Sequence, residues 1–150
     1  TVRAFLAQRL VRTICPDCSL MVDYPRDYLA EIGFPLSELG TRFMRGVGCD
    51  NCRQTGYQGR LAIYEICVIN EAMRRMIVEK RDGGELKQCA VAQGMQTLRQ
   101  DGWRRVGQGK TTIEEVVRVT QNDEIISETT LESAPAPVME GSESAAALSV

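Results

Sequence analysis

Two pairs of cysteines with identical spacing constrain the fold of this chain more than any other feature. The pairs are Cys15-Pro-Asp-Cys18 and Cys49-Asp-Asn-Cys52. A gap of two residues lets both thiolates of one tight turn bind the same metal ion, and two such turns complete a tetrahedral site. The spacing therefore predicts one structural Zn²⁺ bound by Cys15, Cys18, Cys49 and Cys52. A site closed by four cysteines has no open position for chemistry.

Other interpretations of the cysteines stay open. The four residues could be unrelated buried thiols, or the two pairs could exchange disulfides as a redox switch. Cys67 and Cys89 lie in apolar strand and helix patterns and are predicted to be core residues rather than ligands. If four thiolates bind one Zn²⁺, the site carries a formal charge of −2. Nearby arginines are expected to offset that charge or to donate hydrogen bonds to sulfur, namely Arg12, Arg45 and Arg53.

Composition and charge exclude several classes of protein. The 43% of hydrophobic and 25% of charged residues are ordinary for a soluble globular protein, and no apolar run reaches the ~18 residues of a membrane span. Residues 123–150 contain six acids and no base, which leaves 14 acids against 18 Lys and Arg in the preceding residues. That excess falls short of the basic stripe of a dedicated nucleic-acid binder, so no direct contact with nucleic acid is expected.

Catalytic patterns are missing from the sequence. The chain contains no His, the commonest general base. The stretch from Gly107 to Thr111 resembles the end of a phosphate loop, but position 104, where the first glycine belongs, is Arg. We therefore predict a turn there and no catalytic residues in this chain.

Local patterns predict a mixed α+β fold. The apolar spacing of residues 2–14 fits a helix that ends at Cys15-Pro16, and the chain, which begins at Thr1 rather than Met, is interpreted as a fragment. Further along, we expect helices at 26–32, 70–80 and 85–93, strands at 42–47 and 60–69, and two helices opened by the capping boxes Thr97–Gln100 and Thr112–Glu115. Trp103 lies on an apolar helical stripe and is expected in the core.

A series of short motifs in a fixed order carries a resemblance to a known family. The series comprises Ala7-Gln-Arg-Leu-Val-Arg12 before the first cysteine pair, Gly48-Cys-Asp-Asn-Cys52, Thr55-Gly-Tyr-Gln-Gly-Arg60, Ile63-Tyr-Glu-Ile66, Met95-Gln-Thr-Leu98, Asp101-Gly102 and Gly109-Lys-Thr-Thr-Ile-Glu-Glu-Val116. In this order the motifs closely resemble the C-terminal part of the ATPases that drive type II secretion and type IV pilus assembly. The likeness extends to about Thr120.

The resemblance implies a division of the chain into four parts. Residues 1–14 would be the last helix of a RecA-like ATPase core, and 15–58 a tetracysteine zinc module. Residues 59–121 would form a mainly helical C-terminal subdomain, followed by a disordered acidic tail at 122–150. It further implies a homo-hexameric motor on the cytoplasmic face of the bacterial inner membrane. ATP and Mg²⁺ would bind the intact protein, whose turnover acts on an inner-membrane platform protein to assemble pilin-like filaments.

The resemblance also implies roles for individual residues. Cys15, Cys18, Cys49 and Cys52 match the family's zinc ligands. Arg60 resembles an arginine that approaches nucleotide phosphates or a neighbouring subunit; the alternative is a strand-edge arginine paired with an acid. The upstream phosphate loop is missing, so this chain alone is not expected to hydrolyse ATP. A rival hypothesis is a free-standing zinc ribbon that binds nucleic acid or protein, and salt-dependent binding to DNA or RNA would distinguish it.

Overall fold

The computed structural model describes residues 2–35 and 42–120. These residues form β1 (Ala4–Ile14), β2 (Ser19–Val22), α1 (Arg26–Glu31), β3 (Phe43–Gly46), β4 (Tyr57–Val68), α2 (Glu71–Val78), α3 (Gly83–Ala92), α4 (Leu98–Gly107) and α5 (Ile113–Thr120), with a 3₁₀ turn at Pro16–Cys18. The predicted α+β class is confirmed. The prediction of a disordered acidic tail falls outside the described residues.

Strand β1 shows that the predicted helix over residues 1–14 is wrong. β1 and β4 form a long antiparallel ribbon, in which Arg9 pairs with Ile63. The helical spacing counted Leu6 and Leu10 as buried, but these side chains are 61% and 48% exposed. Backbone pairing with a strand more than forty residues away overrides the local apolar spacing, because strand formation depends on cross-strand partners more than on intrinsic preference.

A second antiparallel pair closes the segment between the two cysteine pairs. β2 and β3 pair from Ser19–Gly46 to Val22–Phe43. Helix α1 lies within this segment and begins after Pro25, a residue suited to the start of a helix because its backbone has no N–H to satisfy. The predicted strand at 42–47 and helix at 26–32 are both confirmed.

The later helices begin at the residues that the capping patterns predict. Asn70 accepts a hydrogen bond from the Met73 amide at the start of α2. Thr97 and Gln100 form a reciprocal capping box at the start of α4. At α5 only half of the second box forms: the Thr112 hydroxyl accepts from the Glu115 amide, while the Glu115 carboxylate bonds elsewhere.

The largest apolar cluster among the described residues joins the cysteine segment to α4 and α5. Its buried members are Val22, Leu29, Phe34, Phe43, Trp103, Val106, Ile113 and Val116. Phe34 and Trp103 meet edge to face with ring centroids 5.5 Å apart, a favourable aromatic geometry. The segments predicted as a zinc module and a separate C-terminal subdomain therefore share one core, and the predicted burial of Trp103 is confirmed.

The ribbon has one covered and one exposed face. On the covered face Val11 and Ile63 pack with Leu98. A further cluster under α2 and α3 contains Ile69, Met73 and Ala90, with the half-buried Cys67 and Cys89 against it. The exposed face presents Leu6, Leu10, Tyr64, Ile66 and Val68. Within residues 2–35 and 42–120, no helix combines the length and apolar character needed to span a bilayer.

Candidate metal centre

The four sulfur atoms predicted as ligands meet in one compact group. The Sγ atoms of Cys15, Cys18, Cys49 and Cys52 all lie within 4.8 Å of one another. The Cys15–Cys49, Cys18–Cys52 and Cys49–Cys52 sulfur pairs are 3.9, 3.8 and 3.7 Å apart. Four thiolates around a tetrahedral ion with bonds of about 2.3 Å have sulfur–sulfur edges of ~3.8 Å. The sulfur positions therefore fit a single tetrahedral metal ion.

Two tight turns present the cysteines. Cys15 follows β1 directly, and the 3₁₀ turn Pro16–Cys18 brings Cys18 round to the same side. In the second turn, the Gln54 amide donates to the Cys49 carbonyl at 2.8 Å. Arg53 and Gln54 both adopt the left-handed backbone region, with φ of 54° and 63°. Two adjacent non-glycine residues in that region are uncommon, and they turn the chain back so that both cysteines face the first turn.

Backbone amides, rather than arginines, donate to these sulfurs in the described part of the chain. The Gly48 amide donates to Cys18 Sγ at 3.3 Å. The amides of Cys49 and Gly56 both donate to Cys52 Sγ at 3.2 Å. The expected arginine contacts are not formed here; the Arg12 guanidinium instead binds the Glu115 carboxylate. Amide donors of this kind orient ligands and stabilise negative charge on sulfur.

Burial and amide hydrogen bonds give the four thiols unequal acidity. Burial raises the pKa of Cys15, and it raises the pKa of Cys18 to about 12 despite the hydrogen bond from Gly48. Burial also raises the pKa of Cys52, but the Cys49 and Gly56 amides outweigh it and bring that pKa down to about 6. Metal binding requires thiolates. A soft tetrahedral set of four sulfurs suits zinc or iron rather than magnesium or calcium.

Arg60, the other predicted site residue, lies outside the sulfur group. It is exposed on β4, directly opposite Arg12 of β1. Together with Thr55, Tyr57 and Gly59, the two arginines line a shallow pocket of about 290 Å³. Among residues 2–35 and 42–120, no acid lies within ion-pair distance of Arg60, so the alternative of a paired strand-edge arginine is not observed there.

A cluster around Glu115 was not predicted from the sequence. The Glu115 side chain is almost fully buried and accepts from Arg12 and Arg118. The Arg12 guanidinium carbon also lies 4.1 Å from the centroid of the Tyr57 ring, a cation–π contact. Glu115 and Arg12 are 103 positions apart, and the only local signal, the capping-box pattern, indicates a different partner for the carboxylate.

Comparisons with known proteins place these features in a family. The sequence model described as "Type II/IV secretion system protein" matches residues 1–118. The chain is 41% identical to the type IV pilus assembly ATPase PilB of Thermus thermophilus over 116 residues, which are 77% of this chain and 13% of that protein. It is 40% identical to the type II secretion system protein E of Aeromonas hydrophila over 121 residues, which are 80% of this chain and 24% of that protein.

A third relative has the same relationship to the chain. PilB of Pseudomonas aeruginosa is 38% identical over 123 residues, or 81% of this chain and 22% of that protein. The chain thus spans less than a quarter of the length of these three relatives. The resemblance stated from the motif series is confirmed. With a match over residues 1–118 and relatives near 40% identity, the chain belongs to the type II/IV secretion system protein family.

Proposed function

We propose that this chain is the C-terminal portion of a hexameric secretion ATPase, in which it supplies a structural zinc centre and contacts between subunits or with partners. In the intact protein, a RecA-like core would hydrolyse ATP with Mg²⁺ and power assembly of pilin or pseudopilin filaments. Two observations support the proposal together. The family match covers most of the chain. The four sulfurs lie within 4.8 Å of one another, and three of their separations, 3.7 to 3.9 Å, match the edges of a tetrahedral metal–thiolate site.

The role proposed for the metal is structural. Four cysteines fill all four positions of a tetrahedral ion, so no position remains for water or substrate. Bound zinc would tie the turn after β1 to the turn before β4. These turns are contributed by segments 31 residues apart, and the apolar residues between them pack against α4 and α5 rather than around a core of their own. A cross-link of this kind stabilises a segment that lacks a sufficient core.

Arg60 is proposed to bind an anionic group of a nucleotide at a subunit interface. Arg60 and Arg12 lie directly opposite each other across the ribbon, and like charges in that position repel. The Glu115 carboxylate pairs with Arg12, while Arg60 remains exposed beside the pocket it helps to line. A planar guanidinium suits phosphate oxygens, and an arginine supplied to a phosphoryl-transfer site accelerates the reaction.

The proposal extends to partners and location. A motor of this kind would assemble as a homo-hexamer and act on an inner-membrane platform protein of the secretion or pilus machinery. It would work in the cytoplasm, peripheral to the bacterial inner membrane. Family membership supports these assignments, and the choice between pilus assembly and type II secretion depends on parts of the machinery outside this chain.

The decisive experiment combines metal analysis with a filament assay in cells carrying the intact protein. Elemental analysis of the purified protein should find about one zinc per chain in the wild type and in Cys89→Ser. Cys15→Ser and Cys49→Ser should lose the metal and abolish pilus assembly or secretion. Arg60→Ala should retain zinc but reduce ATP turnover. Full export in both ligand variants would refute a functional role for the metal, and unchanged turnover in Arg60→Ala would refute the nucleotide role.

A further inference from the structure

Residues at and just before the start of α5 form hydrogen bonds with the backbone of β1 at Arg12, three residues before Cys15. Glu115 Oε2 accepts from the Arg12 backbone amide at 3.0 Å, and Glu115 Oε1 accepts from Arg12 Nη2 at 2.6 Å. The Thr111 hydroxyl donates to the Arg12 carbonyl at 2.8 Å. One carboxylate and one hydroxyl thus satisfy both backbone groups of Arg12, as a neighbouring strand would.

These contacts lie where the register between β1 and β4 is irregular. Pairing passes from Arg12–Arg60 to Ile14–Tyr57, so β4 contributes one more residue than β1 and forms a bulge there. The segment before α5 bonds to β1 at the same place: the Ile14 amide donates to the Lys110 carbonyl at 3.0 Å. Residues 110–115 therefore help to hold β1 opposite this bulge, on the way into Cys15.

The same contacts reach the second cysteine turn. The Cys15 amide donates to the Gly56 carbonyl at 3.0 Å, and the Gly56 amide donates to Cys52 Sγ at 3.2 Å. The next residue, Tyr57, bonds through its hydroxyl to Thr112 Oγ1 at 3.0 Å, and its ring lies under the Arg12 guanidinium. The start of α5 is thus connected to both halves of the sulfur group through short chains of hydrogen bonds.

We propose that Glu115 is a positioning residue for the metal centre, because by holding Arg12 it fixes Cys15 at the distance from Cys49 and Cys52 that a tetrahedral ion requires. This inference rests on the proposed structural metal. Coupling between sites is reciprocal, so an ion that fixes Cys15 also stabilises the attachment of α5 to β1. Metal occupancy is thereby coupled to how firmly α5 is attached to β1.

A purely structural role for Glu115 makes a different prediction. In that case, replacing Glu115 would lower the stability of the folded protein without changing the metal affinity of molecules that remain folded. If Glu115 positions Cys15, its replacement weakens metal binding in the folded state itself. Loss of a residue that orients a ligand typically costs 10–100-fold in affinity. Metal affinity measured under folding conditions separates the two.

The test titrates the reduced, metal-free chain with Co²⁺, followed by competition with Zn²⁺, and compares Glu115→Ala, Glu115→Gln and Glu85→Ala with the wild type. Glu85 is an exposed helical acid paired with Arg81, which makes it a matched control. Trp103 fluorescence and circular dichroism report folding. We expect Kd to rise roughly tenfold in Glu115→Ala, less in Glu115→Gln, which keeps an acceptor for the Arg12 amide, and not at all in Glu85→Ala.

The outcomes are distinguishable. Wild-type affinity in both Glu115 variants would overturn the positioning role while leaving the metal centre intact. Failure of the wild type to bind either ion would overturn the proposed metal and this inference with it. If Glu115→Ala does not fold, the Glu115→Gln comparison decides. Hydrogen exchange gives the reciprocal readout: metal should slow exchange in α5 of the wild type and of Glu85→Ala, and should slow it less in Glu115→Gln.

Discussion

Gly46, at the end of β3, and Gly56, directly before β4, touch through their backbones beside the sulfur group. A Cβ atom added to Gly46 would overlap the Gly56 carbonyl and lie 2.6 Å from its carbon, which is closer than real Cβ contacts. Gly56 also donates its amide to Cys52 Sγ. Both positions therefore exclude side chains for reasons of space.

Gly46→Ala should destabilise the protein and weaken metal binding. The added methyl group can only be accommodated by moving backbone, which costs roughly 1–3 kcal/mol in a packed region. Gly83→Ala is the matched control, because a Cβ there would have no neighbour within 4 Å. Urea unfolding should show a lower midpoint for Gly46→Ala alone. Equal midpoints for the two variants would show that the backbone contact is not tight in solution.

Phe34→Ala should destabilise the cysteine segment and α4 together. Phe34 is 2% exposed and packs on Trp103, and removing a buried Phe costs about 3–5 kcal/mol. Phe5→Ala, at a position 57% exposed, should change stability by less than about 1 kcal/mol. Trp103 fluorescence and metal release should report the same midpoint in denaturant. Separate midpoints would argue against a shared core.

Stability of the metal-free protein should fall in acid because of Glu115. Burial raises the pKa of Glu115, but hydrogen bonds from Arg12 and Arg118 outweigh it and hold the pKa at about 2, against an ordinary value of 4.5. A lowered pKa in the folded state contributes stability above pH 4.5 that is lost as the pH falls towards 2. Because both arginines are about half exposed, we expect a loss of only about 2 kcal/mol.

Urea unfolding at pH 7 and pH 3, in reductant and chelator, measures this effect. The decrease between the two pH values should be smaller in Glu115→Gln than in the wild type, because the variant has no carboxylate to protonate. An identical decrease in both proteins would assign the acid sensitivity to other groups.

Removal of the metal should lower the melting temperature. An ion at a thousand times its Kd adds about 4 kcal/mol to folding, so a chelator should lower Tm by on the order of 10 °C. The chelator should have this effect on Cys89→Ser, whose thiol lies outside the sulfur group, and none on Cys18→Ser. A chelator effect that persists in Cys18→Ser would place the stabilising ion elsewhere.

The sequence predicts those parts of the fold and site that depend on neighbouring residues. The spacing of each cysteine pair is a property of one turn, and the reciprocal capping of Thr97 and Gln100 involves residues three apart. Both could be inferred without any knowledge of distant contacts. The assembly of both cysteine pairs into one group followed from their matching chemistry.

Long-range contacts account for the errors and omissions. The apolar residues of 2–14 fit a helical spacing, and only pairing with β4 makes this segment a strand. Glu115 looked like the second half of a capping box, but its carboxylate accepts from the Arg12 amide of β1 instead. This distant partner has no signature in the sequence around Glu115.

The shared core also limits how this region can be divided. Val22, Leu29, Phe34 and Phe43 belong to the cysteine segment, yet the surface that covers them is provided by Trp103, Val106, Ile113 and Val116. A fragment cut at residue 58 would retain all four cysteines and expose an apolar patch that favours aggregation. The cysteine segment is therefore not a portable unit: any transplant, deletion or recombination that preserves it must carry α4 and α5 as well.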